Sequence, residues 1–331
     1  MNKLFAELQN TLETLEPIDK NTALEILNIS NGDFPMVMGY ASKLRVKTQG
    51  EKIRLCNIMN IKSGACSEDC AFCAQSAHHK SQTEIYPMID GEKIAKAYNE
   101  TPEEIKCFGL VSSGEGLNSQ DIDIIIETMT KNTNEKRLSR LSRAGWSASL
   151  GIISDEQLLK LKNAGMARYH HNIETAKSFY PQICTTHSWD LRRDMAMRTK
   201  KMGLQLCCGG IMGVGESKEQ RVELAQELRE IGSDIIPMNF LIAIKGTKLE
   251  NEPPIKAMDI LKTIAMFRFV NPNAEIKVAG GRVHLGDLQS MAFFAGANSL
   301  ITGTLLTTPN CNIESDKKML EDLELEIENG I

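Results

Sequence analysis

The chain has no basic excess. Its 38 lysines and arginines are outnumbered by 43 aspartates and glutamates, a formal net charge of −5. Nucleic acid and acidic membrane surfaces attract proteins through a basic field, so neither is an expected partner. Long hydrophobic runs are also missing. No stretch nears the roughly 18 apolar residues that a spanning helix needs. The opening "MNKLFAELQNTLETLEP" reads as an amphipathic helix with acids interspersed, without the apolar core and small-residue cleavage site of a secretory leader. A cytosolic protein is therefore expected, and in that compartment thiols stay reduced. The nine cysteines are then not a disulfide framework, and a clustered subset points to a metal or redox site. No Pro/Gly/Ser-rich linker divides the 331 residues.

What is present is an alternation of short β-branched runs with amphipathic helical stretches, the pattern of βα units around a parallel sheet. Strands are predicted at residues 53–61, 107–113, 145–151, 167–174, 204–211, 234–241, 275–281 and 298–303. Helices between them begin at recognisable caps: Ser154, and Ser217 with Gln220 as a capping box. Eight repeats suit a closed (β/α)8 TIM-type barrel over residues 51–310, with an N-terminal helical extension over 1–50 and a C-terminal helix over 311–331. An open doubly wound sheet is the alternative. Reactive residues in such a barrel belong at strand C-termini and in the loops after them.

One such loop, "SGACSEDCAFCAQSAHHKS", places Cys66, Cys70 and Cys73 within eight residues directly after the first predicted strand. Three thiolates in a short loop can converge on one corner of an inorganic cluster and leave a fourth position open. Structural zinc instead needs a closed set of four, which His78 or His79 would complete. Phe72 either packs beside a ligand at the closing turn or simply anchors the loop in the core. Cys56 and Cys311 stand apart and read as small buried hydrophobes.

"CSEDCAFC" resembles the Cys-x3-Cys-x-aromatic-Cys loop of radical S-adenosylmethionine enzymes. The segments "NIMNIKSGACSEDCAFCAQSAHH", "YHHNIETAKSFYPQICTTHSWDLR", "CGGIMGVGE", "IPMNFLIAIKGTKL" and "AGANSLITGTLLTTPN" resemble the biotin synthase family in the same order, over about residues 50 to 310. The resemblance implies that Cys66, Cys70 and Cys73 hold a 4Fe–4S cluster whose fourth iron binds S-adenosylmethionine. It also implies sulfur insertion into dethiobiotin by way of a 5′-deoxyadenosyl radical, an electron donor such as flavodoxin or ferredoxin, and a homodimer. Glu174 aligns with an acid that holds the ribose hydroxyls and Arg192 with an arginine near the methionine carboxylate. Asn172 and Asn239 align with asparagines beside dethiobiotin or the adenosyl group.

The family carries an auxiliary cluster as sulfur source, in its familiar form a 2Fe–2S cluster on three cysteines and an arginine. Cys207 and Arg282 align with two of those four, whereas Ser147 replaces a third-strand cysteine. Aligning the second strand on its Ser-Gly pair puts Gly109 at the remaining position, with Cys107 two residues earlier on the same face. The expectation is a relocated ligand set, Cys107 and Cys207 with one or both of Cys184 and Cys208, an iron count left open, and Arg282 as a neighbour instead of a ligand, there to balance the cluster's charge. Two other readings stay in play: a related maturase or methylornithine-synthase type enzyme without sulfur insertion, and a non-catalytic electron-transfer or metal-binding protein.

Overall fold

A computed structural model describes residues 2–132, 145–303, 305–308 and 310–328. Nine strands make one parallel sheet: β1 (Arg54–Lys62), β2 (Ile105–Ser112), β3 (Trp146–Ser149), β4 (Met166–His170), β5 (Gln205–Cys207), β6 (Gly210–Met212), β7 (Ile235–Phe240), β8 (Glu275–Val278) and β9 (Ser299–Ile301). Their order runs β5-β4-β3-β2-β1-β9-β8-β7-β6, and a β5–β7 pairing closes the ring. The barrel expected from the sequence is therefore present. The run predicted as a single fifth strand is two short strands, because Cys208 and Gly209 break it. A Cβ at Gly209 would lie 2.0 Å from the Pro237 carbonyl oxygen, so only glycine lets β7 approach this closely.

Alternation along each strand sorts the side chains. Leu206, Ile236, Met238, Ile276 and Val278 lie in the apolar layer beneath the helices, as do Phe108, Trp146 and Tyr169 on the other side of the ring. Their neighbours Cys107, Ser147, Arg168, Cys207 and Lys277 consequently face the lumen.

Three helices precede the barrel: α1 (Asn2–Thr14), α2 (Lys20–Asn28) and α3 (Phe34–Gln49). They bury one face of α9 (Ala257–Val270), the barrel helix that is buried on every side from Ile260 to Val270. Around the ring α4 (Gly91–Asn99) and α5 (Ser119–Asn132) are followed by α6 (Asp155–Asn163), α7 (Trp189–Lys201) and α8 (Lys218–Ile231). Ser154 with Gln157 and Ser217 with Gln220 form reciprocal capping boxes at α6 and α8, each satisfying two otherwise orphaned donors. The short α10 (Met291–Phe294) and α11 (Ile313–Asp322) end the chain, and Glu326 and Glu328 bond the backbone of Ile53 at the base of β1. Among the described residues no helix is long and apolar enough to cross a membrane.

Candidate active site: two tiers of thiols in one barrel

The loop after β1 opens through Gly64 and Ala65, both at positive φ (73° and 49°). It is then tied into a compact turn: the Cys66 amide donates to Gln75 O, the Ala77 amide to Cys66 O and the Cys73 amide to Cys70 O. The Gln75 carboxamide oxygen accepts from Ser63 Oγ and the Gly64 amide. His78 and His79 bond the carbonyls of Ser67 and Cys73, both at 2.8 Å, so each imidazole braces the loop backbone. Cys66, Cys70 and Cys73 line the cavity mouth at the C-terminal end of the strands. Among the described residues the tight group of possible metal ligands is Cys70 with Cys184 and His187, not the three loop cysteines. Three thiols of one loop lining one cavity suit a multi-iron cluster with an open position better than the closed four-ligand set of structural zinc.

A second loop, residues 183–187, is clamped to the first. Asp69 accepts from the Thr185 amide and hydroxyl (2.8 and 2.6 Å), bonds that outweigh its burial and hold its carboxyl well below the usual range. Glu68 meets His187 Nδ1 at 2.5 Å. The clamp sets Cys184 Sγ 3.8 Å from Cys70 Sγ and 3.3 Å from His187 Nδ1. Its hydrogen bond from Cys70, then that from His187, pulls the Cys184 thiol down to about 3. Cys184 therefore belongs with the loop cysteines at the rim, and the expectation that it joins Cys107 and Cys207 is corrected.

Behind this rim, Arg192 on α7 donates from Nε to Tyr180 Oη and His187 Nε2, each at 2.9 Å, and from Nη1 to the Asn172 carbonyl. It lies 3.3 Å from the Glu174 carboxylate. Burial raises the Glu174 carboxyl and the arginine partly offsets this. Glu174 adopts a left-handed φ of 66°, which aims its carbonyl at the Ile211 amide (2.7 Å) and requires glycine at position 210. Asn172 Oδ1 accepts from the Gly209 amide at 3.1 Å. Asn239 accepts from the Gly280 amide at 3.0 Å and donates to the Gly210 carbonyl at 3.2 Å. Both asparagines thus staple the break in the fifth stave, and the Asn172 amide also donates to the Glu174 carboxylate at 3.5 Å. Phe72, Asn172, Glu174, Arg192 and Asn239 all line that one cavity, together with His171, which sequence reasoning missed. Burial keeps His171 neutral, its pKa well below the usual imidazole value.

Deeper in the lumen lies a second tier. Cys107 on β2 is in register with Cys56 on β1, and its Sγ is 3.0 Å from Ser147 Oγ on β3. Cys207 on β5 is wholly buried and in register with His170. Lys277, Arg168 and Glu275 are buried there too, at 1%, 1% and 3% exposure. Sequence reasoning read Cys56 as a core filler and did not single out the other three. The available signal was a charge at every second position of "EIKV", where a lumen-facing strand should carry none without a partner.

Arg282 is placed elsewhere. Its guanidinium is spent on Asp316 of α11 at 2.5 and 2.7 Å, Asn310 at 3.0 Å and Gln289 at 3.2 Å. It is an anchor for the C-terminal helix, so the role of charge-balancing neighbour expected for it is corrected. Cys208 is corrected as well: just past the end of β5, it is fully buried in the main apolar cluster, and alternation with the lumen-facing Cys207 turns it away from the lumen.

Residues 60–228 match the Radical SAM superfamily and residues 237–326 the Biotin and Thiamin Synthesis associated domain. The chain is 45% identical to a biotin synthase of Endomicrobium trichonymphae over 308 residues, 93% of this chain and 94% of the relative. It is likewise 45% identical to a biotin synthase of Clostridium perfringens, over 93% and 95%. Among solved structures, a methylornithine synthase superposes with TM-score 0.82 at 18% identity, covering 98% of both chains. An FeFe-hydrogenase maturase from Carboxydothermus hydrogenoformans gives 0.78 at 14%, over 98% of this chain and 79% of that one. These two likenesses establish the fold alone.

Proposed function

The chain belongs to the biotin synthase family, and from that premise we propose that its cavity binds dethiobiotin and S-adenosylmethionine between a 4Fe–4S cluster on Cys66, Cys70 and Cys73 and a sulfur-donating auxiliary cluster below. When bound, the upper cluster and its cosubstrate supply a 5′-deoxyadenosyl radical able to take hydrogen from unactivated carbon, which no side-chain base can do because such C–H bonds are not acidic.

The chain's own residues bind and orient. The Arg192 fork suits the carboxylate of the methionine moiety, and Glu174 beside it suits the ribose hydroxyls. Asn172 and Asn239 each keep an amide proton for the adenosyl group or for the ureido ring, which needs donors and acceptors in one plane. His171, buried and neutral, adds a polar contact without charge. Phe72 lines the same cavity and offers the cosubstrate an apolar wall.

The observation that carries this reading is the presence of thiols at two depths of a single lumen, Cys66, Cys70 and Cys73 at the mouth and Cys107 and Cys207 inside. A maturase-like or methylornithine-synthase-like enzyme would share the mouth and have no use for the inner tier. A non-catalytic iron–sulfur protein would have no use for the ligand-shaped cavity. One-electron reduction of the upper cluster calls for a donor of the flavodoxin or ferredoxin kind, and the proposal includes a homodimer.

The test is anaerobic reconstitution followed by reaction with dethiobiotin, S-adenosylmethionine and a reductant, with biotin and 5′-deoxyadenosine measured together. Biotin formation supports the proposal. 5′-Deoxyadenosine without biotin would favour the maturase-like reading, and neither product would favour the non-catalytic one.

A further inference from the structure

The sulfur-donor site is short of ligands as it stands. With Cys184 at the rim, Cys208 turned away from the lumen and Arg282 bound to Asp316, two thiols are left, Cys107 and Cys207. Two thiolates are half of the four protein ligands that such clusters usually have.

Cys56 stands beside them. It pairs with Cys107 across the β1–β2 ladder, and neighbouring strands run about 4.8 Å apart. The two cysteines form an apolar group of their own, separate from both layers of the core. Leu55 before Cys56 and Met59 three residues after it pack outward, so Cys56 shares the lumenal face with Cys107. Its exposure is 2%, and that of Cys107 and Cys207 is 1% and 0%.

The surroundings are charged in a way that three neutral thiols do not explain. Lys277 Nζ is buried without a hydrogen bond; it lies 3.3 Å from Glu275 Oε1, itself left without a hydrogen bond. Arg168 directs Nε and Nη2 to Gln205 Oε1 at 3.0 and 2.8 Å, and leaves Nη1 with no partner. Nearby, His170 Nε2 and Ser299 Oγ are also buried and unpartnered. One interior carboxylate, Glu275, thus faces the buried Arg168 and Lys277, and also Arg54, whose charge Glu328 shares. Buried cations that outnumber their carboxylate partner are costly, and a further anionic group among them lowers the cost. A cluster held by thiolates is such a group, and soft sulfur ligands select iron–sulfur assemblies over hard cations.

We propose that Cys56 is the third protein thiolate of the inner iron–sulfur site, beside Cys107 and Cys207, and that Lys277 and Arg168 are the cations that balance its charge. This rests on the reading above that the inner tier holds a cluster, and it adds a ligand that the family pattern does not place on β1. Ser147 then serves as a hydrogen-bond donor to the Cys107 sulfur, which needs no deprotonated hydroxyl.

The test separates ligand set from activity. In a Cys66, Cys70, Cys73 triple alanine background, where iron reports the inner site, iron and sulfide are measured after anaerobic reconstitution, with Mössbauer spectra. Cys56→Ala should lower inner iron and sulfide at least about tenfold, as loss of a direct ligand must exceed the effect of losing a supporting residue. Cys184→Ala and Cys208→Ala should leave both unchanged. Full iron in Cys56→Ala would overturn the proposal, as would loss in Cys184→Ala or Cys208→Ala instead. Circular dichroism of each variant checks folding. Cys56→Ser, which keeps size and polarity, should fold like the parent and still lose its iron signature; a parent-like Mössbauer spectrum there also overturns it.

For the cations the readout is the midpoint potential of the inner site. Lys277→Met should move it to more negative values, because a removed positive charge no longer favours the added electron, and Lys277→Arg should restore it. An unchanged potential in Lys277→Met would remove the charge-balancing role. If the native protein makes no biotin while Cys56→Ala still loses inner iron, the ligand set stands and only the sulfur-insertion reading falls.

Discussion

The two thiol tiers are built in opposite ways. The rim set comes from eight consecutive residues of irregular loop, held by its own turns and by the clamp from residues 183–187. The inner set comes from strands, with cysteines spread from residue 56 to residue 207 and brought together only because the sheet closes. A loop can converge three sulfurs without the rest of the fold, at the cost of needing clamps to stay in place. Strands position sulfurs rigidly, but which residues meet depends on register around the whole ring. The first arrangement leaves one face open to a ligand; the second encloses whatever it holds.

The sharpest break of this contrast is at the rim. Replacing Cys66, Cys70 or Cys73 with alanine removes an anchoring thiolate from a site that has only three. 5′-Deoxyadenosine formation should fall below detection, and wild-type amounts from any of these variants would sink the assignment.

The inner tier should fail differently. Cys107→Ala and Cys207→Ala should still yield 5′-deoxyadenosine when dethiobiotin is present, yet give no biotin, since the mouth is intact and the sulfur source is lost. Normal biotin from both variants would remove the auxiliary role assigned to them.

A smaller effect is expected where the family pattern pointed and the geometry does not. Arg282→Ala leaves Asp316 as a buried unpaired charge, a loss of about 3–5 kcal/mol. Chemical denaturation should show this while inner iron in the folded protein is unchanged; loss of iron with unchanged stability would return Arg282 to the cluster. Least of all should follow from Cys208→Ala, which removes one small apolar side chain from the main apolar cluster at about 1 kcal/mol or a little more. Its thermal midpoint should drop slightly and its inner iron should not.

The contrast also explains what the sequence could tell. Strand periodicity and helix caps are local, so the barrel and the capping serines could be read directly, and so could a loop whose ligands are four and three residues apart. Inner residues are related by register across strands, which no spacing records. Cys56 looked like an isolated hydrophobe because its partner is 51 positions away and the β1–β2 pairing that joins them is tertiary. Arg282 looked like a neighbour of the cluster because it follows a glycine pair as the family pattern does. The residue of that segment that enters the lumen is Lys277, five positions earlier on β8 itself. The break in the fifth stave was foreshadowed by Gly209-Gly210, although strand propensity alone could not say that Glu174 and Asn239 would fill the gap.

The Arg282 anchor bears on the cavity wall. Leu306, Thr307 and Thr308 form part of the cavity wall, and the chain continues from them to Asn310 and Asp316, both bound by the same guanidinium. Moving α11 away would break this buried pair, so the guanidinium ties the outer helix to that wall. A helix outside the barrel thereby helps to hold one side of the cavity, while the clamp between the two loops holds its mouth.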